Sequence, residues 1–368
     1  MPNVEQQEQL IQELNTEKIG IKTDSYSMSI GEIINLYKDE ELELNPAYQR
    51  LFRWKKSQKS KFIESILLGI PIPPIFVAQK EDGTWSIVDG VQRISTILQL
   101  TNDLRNNDLG PLVLENTKKL PSLEGFTWET LPSDLKRTFR RSKFGVNIIL
   151  TQNSIQSQYE LFQRLNTGGL TLQFQEIRNC LIIMLDSDYY EKINQLKSHP
   201  SFLNVISVNE NKLKEEYHME LILRYFIGKF NNVNYQNYRM SSTHLSEFID
   251  SETTNLIDNQ DFNLDEEIIL FKRVMDLLHD RLGTSAFKKY YAEKKVFEGQ
   301  FSNSSFEAIT SGLALNIALQ EGKTEEQFLD KIRNMYAEEG FLEFSARGVK
   351  AIQRFKGLND FSRTYFES

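Results

Sequence analysis

The sequence predicts an α+β protein, in which a mixed α/β N-terminal half precedes a helical region. Two observations support this fold class. Up to about residue 180, short apolar runs bounded by turn residues alternate with segments of helical character. Beyond that point, long segments carry helical periodicity and few strand signals remain. We therefore expect a polar N-terminal segment at 1–27, a first domain at 28–180 and an all-helical domain at 181–368.

Local signals predict each element of the N-terminal half in turn. Ser29 and Glu32 have capping-box spacing at the start of the helix SIGEIINLY. A second helix, SQKSKFIESILLG, is expected to be capped by Ser57 and to end at Gly69. The segment PPIFVAQKEDGTWSIVD predicts a β-hairpin, which the helix VQRISTILQL follows. A helix LPSDLKRTF, a strand GVNIIL and a helix SIQSQYELFQRLN complete this half.

Three segments predict helices in the C-terminal region, namely DEEIILFKRVMDLLHDRL, FEAITSGLALNIALQ and TEEQFLDKIRNMYAEE. In the last of them, Thr324 and Gln327 have capping-box spacing.

Composition and missing motifs exclude several functional classes. The net charge of -8 over 368 residues argues against a surface that binds nucleic acid everywhere. The single cysteine, Cys180, rules out internal disulfides and a cysteine-rich zinc site. No HExxH or GxxxxGK[ST] motif is present, which argues against a metalloprotease and a P-loop NTPase. No apolar run reaches the roughly 18 residues that span a bilayer, and the N-terminus is polar, so we expect a cytoplasmic protein without membrane association.

Two basic runs contrast with the acidic chain. Residues 45–61 contain six Lys and Arg and no acidic residue, and residues 135–143 contain five and none. Such runs can be solvated charged surfaces, or they can bind a phosphate-bearing partner such as DNA or RNA. The residues expected to contact nucleic acid are Arg53, Lys55, Lys56, Lys59, Arg140 and Arg141.

The segment SIVDGVQR, residues 86–93, places a strand end, Asp89 and Gly90 directly before a helix. Arg93 then falls in the first turn, where the positive end of the helix dipole disfavours a cation by about 0.3–1 kcal/mol. A bound anion would remove this misfit, and a Gly-containing strand–helix turn is suited to phosphate. Alternatively, Asp89 caps the helix and pairs with Arg93. The local sequence leaves both interpretations open.

Four motifs in this order resemble a known family: NPAYQRLFRW, FIESILLGIPIPPIFV, IVDGVQR and FQRLNTGGLTLQFQEIRN. They resemble the N-terminal domain of GmrSD-type restriction proteins, also called domain of unknown function 262, over about residues 28–185. That family is related to the ParB/sulfiredoxin-like fold. The resemblance therefore implies a ParB-like first domain with a nucleoside triphosphate near the Asp89–Gly90 turn.

The resemblance also implies roles for individual residues. Asp89 is the carboxylate best placed for catalysis. Glu160 corresponds to a magnesium-binding residue of ParB-type proteins. Leu161 stands where those proteins have an Asn ligand, and leucine cannot bind a metal. The alternative is an ordinary helical ion pair of Glu160 with Arg164. Val91 replaces the first Gln of the family's Asp-Gly-Gln-Gln-Arg. The residues expected to bind the triphosphate are Gln49, Arg50, Asp89, Gly90, Gln92, Arg93, Arg164 and Asn166.

The predicted function is a nucleoside-triphosphate-binding and hydrolysing sensor module of a restriction or phage-defence system, which acts with nucleic acid and a separate effector such as a nuclease subunit. The alternative is a non-hydrolysing module in which nucleotide or nucleic acid switches a partner protein. The longer GmrSD-type proteins carry a His-Asn-His nuclease domain after this region. Residues 181–368 contain no such motif, so we expect no DNA cleavage by this chain alone.

Overall fold

The computed structural model describes residues 6–12, 23–44, 54–80, 82–105, 110–150, 174–240 and 242–367. The chain folds into two compact units, residues 1–171 and 172–368. The boundary predicted after residue 180 falls nine positions later, inside the first helix of the second unit. Across the described ranges, no helix is both long and apolar enough to cross a membrane.

A five-stranded sheet forms the centre of the first unit, with strand order β1-β5-β3-β4-β2. Its elements are β1 (Thr23–Ser29), α1 (Ile30–Lys38), β2 (Leu42–Glu43), α2 (Lys56–Leu67), β3 (Ile75–Gln79), β4 (Trp85–Asp89), α3 (Val91–Leu100), α4 (Ser133–Arg141) and β5 (Lys143–Ile149). The pairs β1–β5 and β3–β4 are antiparallel, and β2–β4 and β3–β5 are parallel. Residues 6–12 are also helical.

Alternating burial along the central strands explains the sheet. In β5 the side chains of Phe144 and Val146 are buried between less buried neighbours, the period of a half-buried strand, and the last two residues, Ile148 and Ile149, are both buried. The sheet is strongly curved, because the rings of Tyr26 in β1 and Trp85 in β4 lie 6.2 Å apart although two strands separate them. The mixed α/β prediction for this half is confirmed.

The second unit is helical. Its helices are α5 (Phe174–Leu185), α6 (Ser187–Leu196), α7 (Pro200–Ile206), α8 (Glu210–Lys214), α9 (Tyr217–Phe230), α10 (Leu245–Asp258), α11 (Leu264–Leu282), α12 (Asn303–Leu315), α13 (Ile317–Glu321), α14 (Glu325–Met335), α15 (Glu339–Ser345) and α16 (Ala351–Tyr365). A short antiparallel hairpin of β6 (Lys289–Tyr291) and β7 (Val296–Glu298) lies between α11 and α12. The helical prediction is confirmed, with this hairpin as an exception that the sequence prediction lacked.

Two predicted helix starts have different outcomes. At α14 the capping box is present, because Thr324 Oγ1 accepts the Gln327 N–H and Gln327 Oε1 accepts the Thr324 N–H, at 3.3 and 3.0 Å. At α2 the prediction was wrong: the helix begins at Lys56, so Lys55 and not Ser57 is the N-cap residue. Gln58 Oε1 accepts the Lys55 N–H at 2.9 Å. A side-chain acceptor in the first turn thus replaces the expected serine.

A buried chain of alternating charges links five helices of the second unit. Arg178 is fully buried, and its Nε donates to Asp250 at 2.5 Å. Arg224 donates to Glu307 at 2.9 Å, and Arg354 donates to both oxygens of the same carboxylate. In order, the chain contains Asp250, Arg178, Glu220, Arg224, Glu307 and Arg354. Because three basic and three acidic groups alternate, each buried charge has an opposite neighbour.

Candidate anion-binding site and basic surface

The turn between β4 and α3 requires glycine. Gly90 has φ +97° and ψ +10°, a left-handed conformation that disfavours any residue with a Cβ. A Cβ at this position would lie 2.5 Å from Ile75 Cγ2. Gly90 is also the N-cap residue of α3, so among the described residues no side chain caps this helix. The backbone N–H groups of the first turn, at residues 91–93, are therefore available to a ligand.

Arg93 holds this turn in place. Its Nη2 donates to Asp89 Oδ2 at 2.6 Å, and its Nη1 donates to the carbonyl oxygens of Pro73 (2.5 Å) and Pro74 (3.1 Å). Only 13% of the Arg93 side chain is exposed. Three of its five N–H donors therefore have partners within the protein.

This geometry corrects the two interpretations of the turn. The Asp89–Arg93 pair is present, but Asp89 does not cap α3. Because Asp89 offsets the unfavourable position of Arg93 at the helix start, that misfit no longer argues for a bound anion. The expectation that all N–H donors of the Arg93 guanidinium are available to phosphate is revised. Three of these donors link β4 to the loop before β3.

Gln92 connects the starts of two helices. Its Oε1 accepts the backbone N–H of Trp54 at 2.8 Å, which brings the residue two positions before α2 to the first turn of α3. Trp54 is also the last residue of the NPAYQRLFRW motif. The Gln92 Nε2 group has no partner in the part of the chain that the structure describes, so it can donate two hydrogen bonds to a ligand.

The sheet brings the second basic run to the same end of the unit. Asp89 at the end of β4 lies opposite Phe76 near the start of β3, and Ile75 pairs with Val146 in β5. Lys143 precedes Val146 by three residues, or roughly 10 Å of strand. The start of β5 and the end of α4 therefore lie at the sheet end from which α3 begins.

The cations near this sheet end are exposed and belong to two neighbouring helices and one strand. Helices α2 and α4 are in contact, and the rings of Phe62 in α2 and Phe144 in β5 lie 6.2 Å apart. Arg140 also lies over the ring of Trp128 at 5.8 Å. The exposed basic side chains, which we call the basic surface, are Lys55, Lys56, Lys61, Arg140, Arg141 and Lys143. Within the described residues, none of them forms an ion pair with a carboxylate.

Lys59 does not belong to the basic surface, and the expectation that it contacts nucleic acid is corrected. It is only 9% exposed, and its Nζ donates to Gln99 Oε1 at 2.6 Å. Gln99 in turn donates to the carbonyl oxygen of Gly110 at 3.0 Å. The Lys59 ammonium therefore joins α2 to α3 in the interior, where the backbone of a nucleic acid cannot contact it.

Several predicted site residues lie outside the described residues, namely Gln49, Arg50, Arg53, Glu160, Arg164 and Asn166. Their roles stay predictions. In the described ranges, no group of three or more His, Cys, Asp or Glu side chains could hold a metal ion.

Some contacts at the site had a signal in the sequence and some had none. Lys59 precedes Ile63 by four positions and Ile66 by seven, so the apolar stripe of α2 already indicates its burial. Lys143 lies in the second basic run, but no local pattern indicates that it lies at the sheet end from which α3 begins. The bond from Trp54 to Gln92 joins residues 38 positions apart, and no local pattern indicates it.

Comparison with known families identifies this domain. Residues 30–183 match the family model described as GmrSD restriction endonuclease, N-terminal domain. The chain carries a GmrSD-type N-terminal domain. No curated protein and no solved structure matches the chain significantly. The family match begins at α1, directly after β1, and ends inside α5, so it covers most of the first unit and the beginning of the helical unit. Domains of this type belong to restriction and phage-defence systems.

Proposed function

We propose that the GmrSD-type domain binds the phosphates of a nucleoside triphosphate at the start of α3, and that it acts as the sensor module of a restriction or phage-defence system. In this proposal, nucleic acid is the sensed partner and a separate effector, such as a nuclease subunit, responds. The observation that carries the proposal is the uncapped start of α3, where the Gln92 amide and the first-turn N–H groups have no acceptor among the described residues.

The electrostatics of this sheet end support a polyanion. The N-terminus of α3 carries the positive end of its dipole, and helix N-termini bind phosphate through their N–H groups. Lys55 and Lys56 lie beside Trp54, which is bonded to Gln92. Lys143 lies at the same sheet end. The phosphate oxygens of a triphosphate would contact these N–H and ammonium donors, and the bound magnesium ion would neutralise part of the phosphate charge.

The state of Asp89 favours the non-hydrolysing alternative as a second candidate. A catalytic base must accept a proton from the attacking water. Asp89 Oδ2 already accepts a hydrogen bond from Arg93 at 2.6 Å, so this oxygen is occupied by the guanidinium and is not free to accept a hydrogen bond from water. Binding without turnover, with nucleotide as a switch, is therefore compatible with this geometry, and hydrolysis requires a further group to activate water.

Calorimetric titration of the purified chain with each ribonucleoside and deoxyribonucleoside triphosphate in magnesium tests the binding step. We expect saturable binding of at least one triphosphate and weaker binding of its monophosphate, because the site recognises phosphates. The absence of binding to every triphosphate would contradict the proposal. Phosphate release, measured with and without DNA or RNA, then separates the hydrolysing sensor from the non-hydrolysing switch.

Incubation with plasmid tests whether the effector is separate. Highly purified chain with plasmid, magnesium or manganese, and each triphosphate should leave the DNA intact. Nicking that copurifies with the wild-type chain and is lost in Asp89→Ala or Glu160→Ala would show that the chain is itself a nuclease.

A further inference from the structure

The hairpin β6–β7 is held rigidly on one face. Its strands pair in the register Lys289–Glu298, Tyr290–Phe297 and Tyr291–Val296. The rings of Tyr290 and Phe297 lie 5.0 Å apart, and Phe297 lies 6.3 Å from Tyr336 in the loop after α14. Tyr336 also donates its hydroxyl to the Lys288 carbonyl at 2.8 Å. A two-stranded hairpin is marginally stable alone, so these contacts fix it to the helical unit.

The opposite face of the hairpin presents an aromatic ring between two lysines. Tyr291 is 40% exposed, and its cross-strand partner Val296 is 42% exposed. The Nζ atoms of Lys289 and Lys294 lie 5.4 and 5.6 Å from the centre of the Tyr291 ring. Two ammonium groups therefore lie within cation–π distance of one ring on a surface that faces solvent.

The fold does not require these lysines. Lys294 pairs with Glu298 at 3.0 Å, but both side chains are more than half exposed, and such pairs contribute little to stability. In the part of the chain that the structure describes, Lys289 and Lys295 form no ion pair. Lys295 adopts a left-handed φ of +55° at the end of the turn, where glycine or asparagine would be less strained.

The charge of the hairpin opposes that of its surroundings. Residues 172–368 contain 23 Lys and Arg against 30 Asp and Glu, a net charge of -7. The segment KKYYAEKK, residues 288–295, contains four lysines and one glutamate. Lysines placed this closely repel one another, and a bound polyanion would offset that repulsion.

We propose that the β6–β7 hairpin is a contact site for the phosphate backbone of double-stranded DNA. A two-stranded ribbon fits the major groove of B-form DNA, whereas the major groove of duplex RNA is too deep and narrow for it. Lys289, Lys294 and Lys295 then bind phosphates along the groove. On the exposed face of the hairpin, the large apolar side chains are Tyr291 and Val296, and this apolar area is small for insertion into a lipid surface. This site is independent of the triphosphate site.

Fluorescence anisotropy of the full chain with a labelled DNA duplex, measured over a range of salt concentrations, tests the proposal. The variant Lys289→Gln/Lys294→Gln/Lys295→Gln removes three charges, and we expect about tenfold weaker binding at low salt. The slope of log affinity against log salt should decrease by about 2.7, at about 0.9 for each phosphate contact. The matched control removes three exposed lysines elsewhere in the same unit, as Lys212→Gln/Lys272→Gln/Lys350→Gln, and should overlay wild type.

Three outcomes would overturn the proposal. The hairpin variant could overlay wild type at every salt concentration, which would make the hairpin a solvated surface. Both variants could weaken binding equally, which would indicate a general charge effect. Wild type could bind vesicles that contain phosphatidylserine while it fails to bind the duplex. In the background of Lys56→Gln/Lys143→Gln, which removes two charges of the basic surface, the hairpin substitutions should still lower the salt slope by about 2.7, and this additional loss separates the hairpin site from the basic surface.

Discussion

Two helix starts in this protein use glutamine in different ways. In α14 the side chains of Thr324 and Gln327 each accept a backbone N–H of the same first turn, so the helix start is closed by its own residues. In α3 the N-cap residue is Gly90, which has no acceptor, and Gln92 accepts an N–H from Trp54, 38 positions earlier.

The difference shows how a helix start can serve either stability or binding. A closed capping box satisfies the N-cap and N3 backbone donors, and in α14 the carboxylates of Glu325 and Glu326 in the first turn disfavour a bound anion. At α3 the same type of side chain joins two segments of the fold and keeps its amide donors, while the backbone donors of the first turn stay uncapped. Stability at this turn comes instead from Arg93, which ties Asp89 to the carbonyl groups of Pro73 and Pro74.

The largest effect is expected at the glycine that opens α3. Gly90→Ala should lower the free energy of unfolding by about 2–5 kcal/mol, because a left-handed conformation costs about 1–2 kcal/mol and a forced contact about 1–3 kcal/mol. The forced contact is with Ile75 Cγ2. Gly83→Ala is the control: its φ is +87° but no atom lies within 4 Å of the added Cβ, so only the backbone effect applies. Equal losses in urea denaturation would refute the steric part of this account.

Arg93→Ala should lower the free energy of unfolding by about 1.5–3 kcal/mol, the usual contribution of hydrogen bonds to a charged group. The expectation follows from its bonds to Asp89 and to the two proline carbonyls. Arg137→Ala removes an exposed arginine that pairs with Asp134 within one helix, and should change stability by about 0.5 kcal/mol or less. If thermal and urea denaturation give the same small change for both variants, Arg93 is not a structural link and its guanidinium is available to phosphate.

The basic surface should contribute a smaller, salt-dependent effect. Lys56→Gln/Lys143→Gln should reduce the slope of log nucleic-acid affinity against log salt by about 1.8, at about 0.9 for each phosphate contact. The control is Lys38→Gln/Lys80→Gln, which removes two charges that already pair with Asp103 and Glu43. Identical salt dependence of both double variants would indicate that the basic surface is only solvated.

The smallest effect is expected at the closed helix start. Thr324→Ala removes one half of the capping box and should lower the free energy of unfolding by about 1 kcal/mol. Triphosphate affinity should not change, because the donors at this start have no ligand. A measurable loss of triphosphate affinity in the same titration would mean that the two helix starts do not differ in the way described.

The sequence predicted those parts of the site that depend on near neighbours. The β3–β4 hairpin and the start of α3 after Gly90 follow from local patterns, and the pair of Asp89 with Arg93 belongs to one of the two interpretations that the local sequence left open. The contacts of Gln92 with Trp54, and of Arg93 with the prolines before β3, join residues 19 to 38 positions apart. Only the packing of the sheet brings these residues together.

The hairpin β6–β7 escaped the sequence prediction for a different reason. Each of its strands has three residues, too few for an alternating pattern to differ from helical periodicity. The ring contact that shows the curvature of the first sheet likewise joins β1 and β4, which are not adjacent in the sheet. Pairings of this kind depend on tertiary contacts and leave no short-range signal.

A paired titration tests the central claim most directly. Gln92→Glu keeps an oxygen for the Trp54 N–H but replaces the two amide donors with a carboxylate oxygen. A negative charge at a helix start is favourable by about 0.3–1 kcal/mol, so the fold should be retained. Gln327→Glu makes the same change in the closed box of α14.

The account predicts that Gln92→Glu weakens triphosphate binding at least about tenfold, since a lost hydrogen bond to a charged group is worth about 1.5–3 kcal/mol. Gln327→Glu should bind as wild type does. Equal affinities of wild type and Gln92→Glu, with both proteins folded, would contradict the claim that the open start of α3 is the phosphate site.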